Sequence, residues 1–369
     1  VNVNANGALG AGPVTINGTA HFTLGDGLNI TNAFVATTVA PGANTGLLMV
    51  NDNTNGIITT LSGPLEFDSS PANGGNFIGP VSSGYLNVTG PITNAVTGVI
   101  SSRNGFVRFS GGGSYTGFVL NQGTTSIGAD NGICPDAALT VAASGDSTFD
   151  LNGFNQTLTG LTDGATFQEL VTNSAANLST LTLNLAASST YSGVIGGKVT
   201  LVQNGTGILL LAGTNTYTGN TMVNGGTLEL AQPALAKNST VTVANGAFLQ
   251  LDFAVTNQVA GLVLNGVSQP LGVYNSATSP SFITGSGSLE VAVAVATNPT
   301  NLTATVSGGN LILSWPADHT GWHLQVQTNS LASGLGTNWV DVPNTDSVNA
   351  VTNAVNAANG AVFYRMVYP

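Results

Sequence analysis

The strongest constraint on the fold is a stretch in which very short apolar segments alternate with glycine-containing turns, Asn204–Leu230. Three candidate strands lie between these turns, at Ile208–Leu211, Met222–Val223 and Leu228–Leu230. In the last of them apolar and polar residues alternate, which predicts one buried and one exposed face. Because strands of this length cannot bury an apolar face alone, we expect the same unit to be stacked above and below.

The stretch also carries a more detailed pattern of paired glycines, a leucine run and an Asn-Thr-Tyr-Thr-Gly corner. The residues that form it are Gly205–Gly207, Leu209–Leu211, Gly213, Asn215–Gly219, Thr221, Val223 and Asn224–Leu228. In this pattern the chain resembles the autotransporter-associated β-strand repeat of secreted bacterial passenger proteins. The resemblance implies an all-β protein with a right-handed parallel β-solenoid, located outside the cell or on the bacterial surface. It implies no particular activity.

Parts of the pattern recur elsewhere in the chain. Tyr115 lies 102 residues before Tyr217 in a second Tyr-Thr-Gly corner, and Leu139 lies 102 residues before Val241. Unequal spacing between copies suits a solenoid, where insertions form loops, better than a propeller with equal blades. We therefore expect a solenoid over residues 1–297, with modules near 1–103, 104–203 and 204–297.

The sequence changes character at Asn298 and Pro299, and all three tryptophans follow this point. Alternating segments in the remaining residues predict six or seven short strands. The residues that carry a further resemblance are Leu313–Pro316, Gly321–Trp322, Leu324–Asn329, Gly334–Trp339 and Phe363–Val367. They resemble a fibronectin type III module, which implies a small immunoglobulin-like β-sandwich over residues 298–369.

The charge content excludes several classes of partner. Only 6% of the residues are charged and the net charge is −11, so Asn, Thr, Ser and Gly must supply most of the polar surface. The five basic residues are not clustered, which argues against nucleic acid and against anionic membrane surfaces. A single cysteine excludes an intrachain disulfide. The given residues contain no visible signal peptide and no apolar run of 18 residues, so we predict no insertion into a membrane.

Paired carboxylates are the first candidates for catalysis. Glu66 and Asp68 lie two apart on a predicted strand and so share a face, and paired carboxylates carry out acid–base catalysis in glycosidases and lyases. Because no Lys or Arg precedes residue 103, a site for uronates lacks its cations. We therefore expect surface acids here, and equally at the remaining pairs. Those pairs are Asp26 with Asp52 and Asp146 with Asp150.

The histidines, tyrosines and cysteine are the other candidates. His21 is expected on the surface. His319 and His323 are four apart, which is a metal-binding spacing on a helix, but Pro316, Gly321 and the β pattern argue against a helix. In a strand they would also share a face, whereas we expect His319 in the turn after a strand. Tyr115 and Tyr217 are either carbohydrate-stacking platforms or, as we expect, buried corner residues whose phenols reach the backbone. Cys134 is expected to be a buried thiol rather than a crosslink. We assign no catalytic, cofactor-binding or metal-binding residue.

Three functions remain, and we rank them in this order. The first is a non-enzymatic structural protein, a subunit of an extracellular fibre assembled head-to-tail through open solenoid ends. The second is a monomeric adhesin or glycan-binding stalk, whose recognition loops would be Asn32–Leu47 or Ser268–Ser281. The third is a β-helix polysaccharide lyase or hydrolase. The partners predicted are copies of the same chain or a cell surface, with glycans as possible ligands.

Overall fold

The computed structural model describes residues 2–17, 22–37, 46–50, 58–67, 76–80, 84–94, 99–102, 104–141, 145–164, 168–292, 297–346, 348–356 and 358–368. The chain divides into two compact units, Val1–Ala292 and Val293–Pro369. Throughout the described residues, strands and loops make up the structure, with one three-residue 3-10 turn. The prediction of an all-β protein is therefore confirmed.

The described residues of the first unit form 36 short strands, numbered here in chain order. They are β1 (Asn2–Val3), β2 (Val14–Asn17), β3 (Phe22–Leu24), β4 (Asn29–Ile30), β5 (Phe34–Thr37), β6 (Gly46–Val50), β7 (Thr59–Leu61), β8 (Leu65–Phe67), β9 (Asn76–Pro80), β10 (Tyr85–Val88), β11 (Ile92–Asn94), β12 (Val99–Ser102), β13 (Phe106–Phe109), β14 (Gly113–Ser114), β15 (Gly117–Leu120), β16 (Gly123–Ile127), β17 (Ala138–Val141), β18 (Ser147–Asp150), β19 (Gln156–Leu158), β20 (Gly160–Asp163), β21 (Glu169–Thr172), β22 (Ser179–Leu185), β23 (Ser189–Tyr191), β24 (Val194–Ile195), β25 (Val199–Gly205), β26 (Ile208–Leu211), β27 (Thr221–Val223), β28 (Thr227–Leu230), β29 (Thr240–Val243), β30 (Phe248–Leu251), β31 (Thr256–Val259), β32 (Gly261–Leu264), β33 (Val267–Ser268), β34 (Gly272–Asn275), β35 (Ile283–Gly285) and β36 (Ser288–Val291).

These strands stack into long parallel sheets in which each strand pairs with strands of the preceding and following coils. The orders are β1-β3-β6-β9-β12-β15-β17-β20, β24-β21-β18-β16-β13-β10-β7-β4, β14-β11-β8-β5-β2, β19-β22-β25-β27-β29-β32-β33, β23-β26-β28-β30-β35 and β31-β36-β34. Except at β33 and β34, which pair antiparallel, neighbours in these sheets run parallel and are separated by a whole coil of chain, which is the topology of a β-solenoid. The predicted solenoid is confirmed.

Stacked leucines show why the coils form. Leu209 of β26 pairs in register with Leu228 of β28, which pairs with Leu249 of β30, and Ile283 of β35 follows. All four side chains are buried. The residues that alternate with the leucines along β26, β28 and β30 face outward. Each strand buries its apolar side only because the next coil covers it, as the sequence predicts. One core cluster extends from Val3 to Val291.

The corners are held by amide side chains and by glycine. Asn204 Nδ2 donates to Asn184 Oδ1 at 2.9 Å, and Asn224 Nδ2 donates to Asn204 Oδ1 at 3.0 Å, so an exposed asparagine ladder links three coils. At Gly226 the backbone has φ +59°, and an added Cβ would lie 2.1 Å from the Gly207 carbonyl oxygen of the preceding coil. Glycine is therefore required there both for conformation and for close stacking.

The last coils depart from the parallel pattern. β33 turns back antiparallel onto β32, and β34 pairs antiparallel with β36 over four residues. The inserted strands β33 and β34 lengthen this coil. The register partners Leu249 and Ile283 are therefore 34 residues apart, whereas Leu228 and Leu249 are 21 residues apart. We call residues 265–282 the cap segment.

The second unit contains β37 (Thr303–Ser307), β38 (Asn310–Ser314), the 3-10 turn Ala317–His319, β39 (His323–Asn329), β40 (Val340–Asp341), β41 (Ala350–Ala354) and β42 (Ala361–Val367). Two antiparallel sheets result, with orders β37-β38-β41 and β40-β39-β42. Leu313 and Trp315 at the end of the first sheet and Leu324 of the second form one buried cluster, so the sheets face each other across a small core as in a β-sandwich.

Candidate functional site

The structure describes only some members of the carboxylate pairs considered in the sequence. Glu66 lies on β8 with its side chain in solvent, and Asp26 is exposed in a turn. Their proposed partners, Asp68 and Asp52, lie outside the described residues, as does His21. No group of three or more His, Cys, Asp or Glu side chains that could hold a metal ion occurs among the residues that were placed.

Asp150 corrects one expectation, because it is not a surface acid. Its side chain is 8% exposed at the end of β18. Oδ1 accepts hydrogen bonds from the backbone N–H groups of Asn152 at 2.9 Å and Ser174 at 3.0 Å, and Oδ2 accepts one from Ser174 Oγ at 2.7 Å. The carboxylate thus closes a turn and ties it to the next coil, whereas Asp146 is exposed as expected.

His319 is a buried structural residue rather than a metal ligand. It lies in the 3-10 turn after β38, as predicted, and is 2% exposed. Nε2 bonds to the Asn298 carbonyl oxygen at 2.7 Å and Nδ1 to Asp318 Oδ1 at 2.8 Å, and these two acceptors raise the pKa of His319. Both ring nitrogens are therefore occupied, and His323 lies on the separate strand β39.

The two corner tyrosines are buried, so neither is a platform for carbohydrate. The Tyr115 phenol accepts a hydrogen bond from the Cys134 backbone N–H, as expected for a phenol that reaches the backbone. The Tyr217 phenol instead pairs with the Thr221 hydroxyl at 2.8 Å, which corrects that expectation at the second corner. Burial raises the pKa of Tyr115, and that of Tyr217 to about 12. Cys134 is a free, fully buried thiol, which confirms its prediction.

The two predicted recognition loops differ. In the first, Asn32 is buried, and its Nδ2 donates to the carbonyl oxygens of Gly10 and Gly12 at 3.0 and 2.7 Å, so it has a structural role. Residues 38–45 of that loop lie outside the described residues. The second loop, Ser268–Ser281, belongs to the cap segment.

The cap segment carries an open groove of about 420 Å³. Its lining is aliphatic, aromatic, hydroxyl and amide in character, without an ionisable side chain. The lining residues are Leu264, Asn265, Val267, Gln269, Thr278, Ser279, Pro280, Ser281 and Phe282. Val267, Leu271 and Val273 are 62%, 65% and 50% exposed, which is unusual for aliphatic side chains so close together in sequence. We call this groove with the three exposed residues the cap surface.

Internal hydrogen bonds give the cap segment a defined shape. Tyr274 Oη donates to the Pro270 carbonyl oxygen at 2.8 Å, and Asn275 Oδ1 accepts from the backbone N–H groups of Ala277 and Thr278 at 2.9 and 3.1 Å. β34 is further anchored by its ladder to β36. The cap surface therefore belongs to a segment held in place by hydrogen bonds, and such preorganisation lowers the entropic cost of binding.

A second groove, of about 650 Å³, lies on the second unit and was not predicted. The Arg365 guanidinium lies 4.3 Å from the centre of the Trp339 ring, and its Nε donates to Gln325 Oε1 at 2.9 Å. Phe363 and Leu335 complete the apolar part of the lining. Sequence reasoning did not indicate this groove, because Trp339 and Arg365 come together only through the pairing of β39 with β40 and β42.

Comparison with known proteins adds a family match and one relative. Residues 201–230 match the passenger-associated-transport-repeat family. The adhesin BmaC autotransporter of Brucella suis biovar 1 (strain 1330) is 30% identical over 155 residues, which cover 39% of this chain and 4% of that protein. No solved structure matches the chain. These similarities support a passenger-type repeat and indicate an extracellular, cell-surface location.

Proposed function

We propose that this chain is a non-catalytic, adhesin-like segment of an extracellular passenger-type protein, and that the cap surface makes the adhesive contact. The similarity to an adhesin supports the class of function. The observation that carries the proposal is the cap surface itself, where the exposed Val267 lines a hydroxyl- and amide-rich groove and Leu271 and Val273 of the same segment are exposed as well. Exposed apolar patches on stable proteins mark interaction sites.

The lining of the groove suggests the kind of ligand. No charged side chain contributes to it, so a charged ligand would lose hydration without gaining an ion pair. Hydroxyl and amide groups beside apolar surface suit an uncharged glycan, which offers hydroxyl groups on its edges and C–H groups on its faces. We propose neutral surface glycans as the ligand class.

Head-to-tail assembly into a fibre stays a prediction, and the cap segment argues against one form of it. β33 and β34 cover the outer edges of β32 and β36 with antiparallel strands, which is how natural sheets protect edges from further pairing. Of the last strands in the parallel stacks, β35 keeps an uncovered edge in its sheet order. A second solenoid stacking on this end would have to displace the cap, so we rank adhesion above fibre formation.

The binding test uses the purified chain on an array of neutral and acidic glycans. We expect binding to neutral glycans that is lost in the triple variant Val267→Ser, Leu271→Ser, Val273→Ser. The matched control is Ile208→Ser with Leu331→Ser, which removes aliphatic side chains that are 40% and 82% exposed outside the cap surface. Equal binding by both variants, or binding confined to acidic glycans, would refute the proposed site.

Two finer assignments are also proposals. A fibronectin type III-like nature of residues 298–369 is supported by two antiparallel three-stranded sheets, β37-β38-β41 and β40-β39-β42, that share one small core. The division of the solenoid into three modules rests on the sequence offsets alone. A lyase activity ranks lowest, because Glu66 lies exposed on β8 without a neighbouring cation in the described residues.

A further inference from the structure

The outer face of one solenoid sheet carries two aromatic side chains in a row that continues with threonine. Tyr85 of β10 pairs in register with Phe106 of β13, and both side chains point outward. The same outward row continues as Thr124 of β16 and Thr148 of β18. Tyr85 is 42% exposed, and no other aromatic side chain in the described part of the first unit is as exposed.

The two rings form a platform on this face. Their centroids lie 5.5 Å apart and their planes are inclined by 38°. Because Thr59 pairs with Leu86, the preceding residue Ile58 lies beside Tyr85, and it is 49% exposed. A cross-strand aromatic pair stabilises a sheet by itself. Its open side also offers apolar surface against which the C–H groups of a sugar ring can pack.

Arg108 adds a positive charge to the platform. It follows Phe106 by two residues on β13 and so lies on the same face, with its Cζ atom 5.4 Å from the centre of the Phe106 ring. Its aliphatic stem runs along Gly128 of the next coil, where an added Cβ would lie 3.0 Å from Arg108 Cδ. Glycine at position 128 thus leaves room for the stem, and the ring attracts the guanidinium.

The charge of this guanidinium is not neutralised by any described residue. Arg108 forms neither a hydrogen bond nor an ion pair within the described ranges, where the one ion pair joins His319 to Asp318. Asn87 lies opposite Arg108 in register, and its Oδ1 atom is likewise without a hydrogen-bond partner there. The group that best matches a guanidinium is a carboxylate, because two N–H groups can bind its two oxygens together.

We propose that Tyr85, Phe106 and Arg108 form a binding site for acidic glycans, which we call the aromatic face. The carboxylate of a uronic or sialic acid pairs with Arg108, and its sugar ring packs on the two aromatic rings. A single cation suits one carboxylate but not a polyanion such as nucleic acid, which needs clustered cations. The aromatic face also differs in ligand from the cap surface, whose lining has no ionisable side chain.

The test measures dissociation constants of the 369-residue chain by titration calorimetry. The probes are oligosaccharides that contain uronic or sialic acid, each compared with its carboxyl-methylated form. We expect the acidic forms to bind at least about tenfold more tightly than the methylated forms. Arg108→Gln should remove this preference. Tyr85→Ala should weaken binding of both forms by a similar factor, about threefold to tenfold, because it removes ring surface and not charge.

Two controls separate this site from net charge and from the cap surface. Lys237→Gln removes one positive charge at an exposed position between β28 and β29, and it should leave every dissociation constant unchanged. The triple variant Val267→Ser, Leu271→Ser, Val273→Ser should bind acidic glycans as the unchanged chain does, so failure of one site is distinguishable from failure of the other. Three results would overturn the proposal: no binding of any acidic probe, an unchanged preference in Arg108→Gln, or loss of acidic binding in the triple variant.

Discussion

The Tyr115 phenol oxygen accepts a hydrogen bond from the Cys134 backbone N–H at 2.9 Å, and Cys134 Sγ accepts one from the Tyr115 backbone N–H at 3.4 Å. The two residues lie 19 apart on neighbouring coils, and both are buried. Each side chain thus satisfies a backbone N–H group of the other residue in the buried interior. Because both bonds cross between coils, the pair fixes their stacking at a corner where strand pairing is short.

Replacing Tyr115 with phenylalanine should destabilise the solenoid by about 1–3 kcal/mol, because the buried Cys134 N–H loses its acceptor. Tyr274→Phe is the matched control, since its phenol donates to the Pro270 carbonyl at an exposed position and should cost less than about 1 kcal/mol. Urea unfolding followed by circular dichroism measures both. Equal losses in the free energy of unfolding would show that the buried bond to Cys134 stabilises the protein no more than the exposed bond to Pro270 does.

The Asp150 carboxylate should stabilise its turn more than an ordinary surface acid does. Asp150→Ala leaves two backbone N–H groups and the Ser174 hydroxyl without their acceptor, and we expect a loss of about 3 kcal/mol. Asp146→Ala, which removes one bond from the Gln168 backbone N–H at an exposed position, should cost less than about 1 kcal/mol. The same urea experiment distinguishes them, and a smaller loss for Asp150→Ala than for Asp146→Ala would contradict the role assigned to this carboxylate.

Local pattern was enough to predict the repeating part of the fold. The flanking glycines predicted the strand β26, and in β28 alternation predicted both the strand and the buried faces of Leu228 and Leu230. The equivalence of Tyr115 and Tyr217 likewise predicted two buried corners. These features follow from neighbours in sequence, and a solenoid repeats its local environment in every coil.

The features that sequence reasoning missed depend on register between distant segments. Asp150 is buried only because Ser174, 24 residues later, is stacked above it. The antiparallel return of β34 onto β36 reverses a pattern that every earlier coil obeys, and the local sequence of Gly272–Asn275 does not encode strand direction. Trp339 and Arg365 likewise come together only through sheet pairing.

Replacing Gly226 should destabilise the solenoid more than replacing Gly246, because only Gly226 lies against the preceding coil. Both have positive φ, +59° and +77°, so alanine at either position is strained by about 1–2 kcal/mol. At Gly226 the new Cβ would also meet the Gly207 carbonyl oxygen at 2.1 Å, whereas at Gly246 no atom lies within 4 Å. We expect Gly226→Ala to cost at least about 2 kcal/mol more than Gly246→Ala in thermal or urea unfolding. Equal costs would mean that the coils can separate freely at this corner.

The buried tyrosines should make the protein sensitive to alkali. Burial raises the pKa of Tyr217 from 10.0 to about 12, so the folded state holds a proton that the unfolded state releases first. The resulting stability is fully present below pH 10 and is lost as the pH rises towards 12, to the extent of roughly 2–3 kcal/mol for this residue.

The variant Tyr217→Phe separates this effect from the loss of the hydroxyl. Near neutral pH it should be less stable than the unchanged chain, because Thr221 loses its partner. Above pH 10 only the unchanged chain is destabilised by ionisation of residue 217. The difference between the two free energies of unfolding should therefore narrow and then reverse. Tyr115 and Tyr191, whose pKa values are also raised by burial, lower the stability of both chains alike. Urea unfolding at a series of pH values measures the difference, and a constant difference would mean that Tyr217 ionises as readily in the folded state as in the unfolded one.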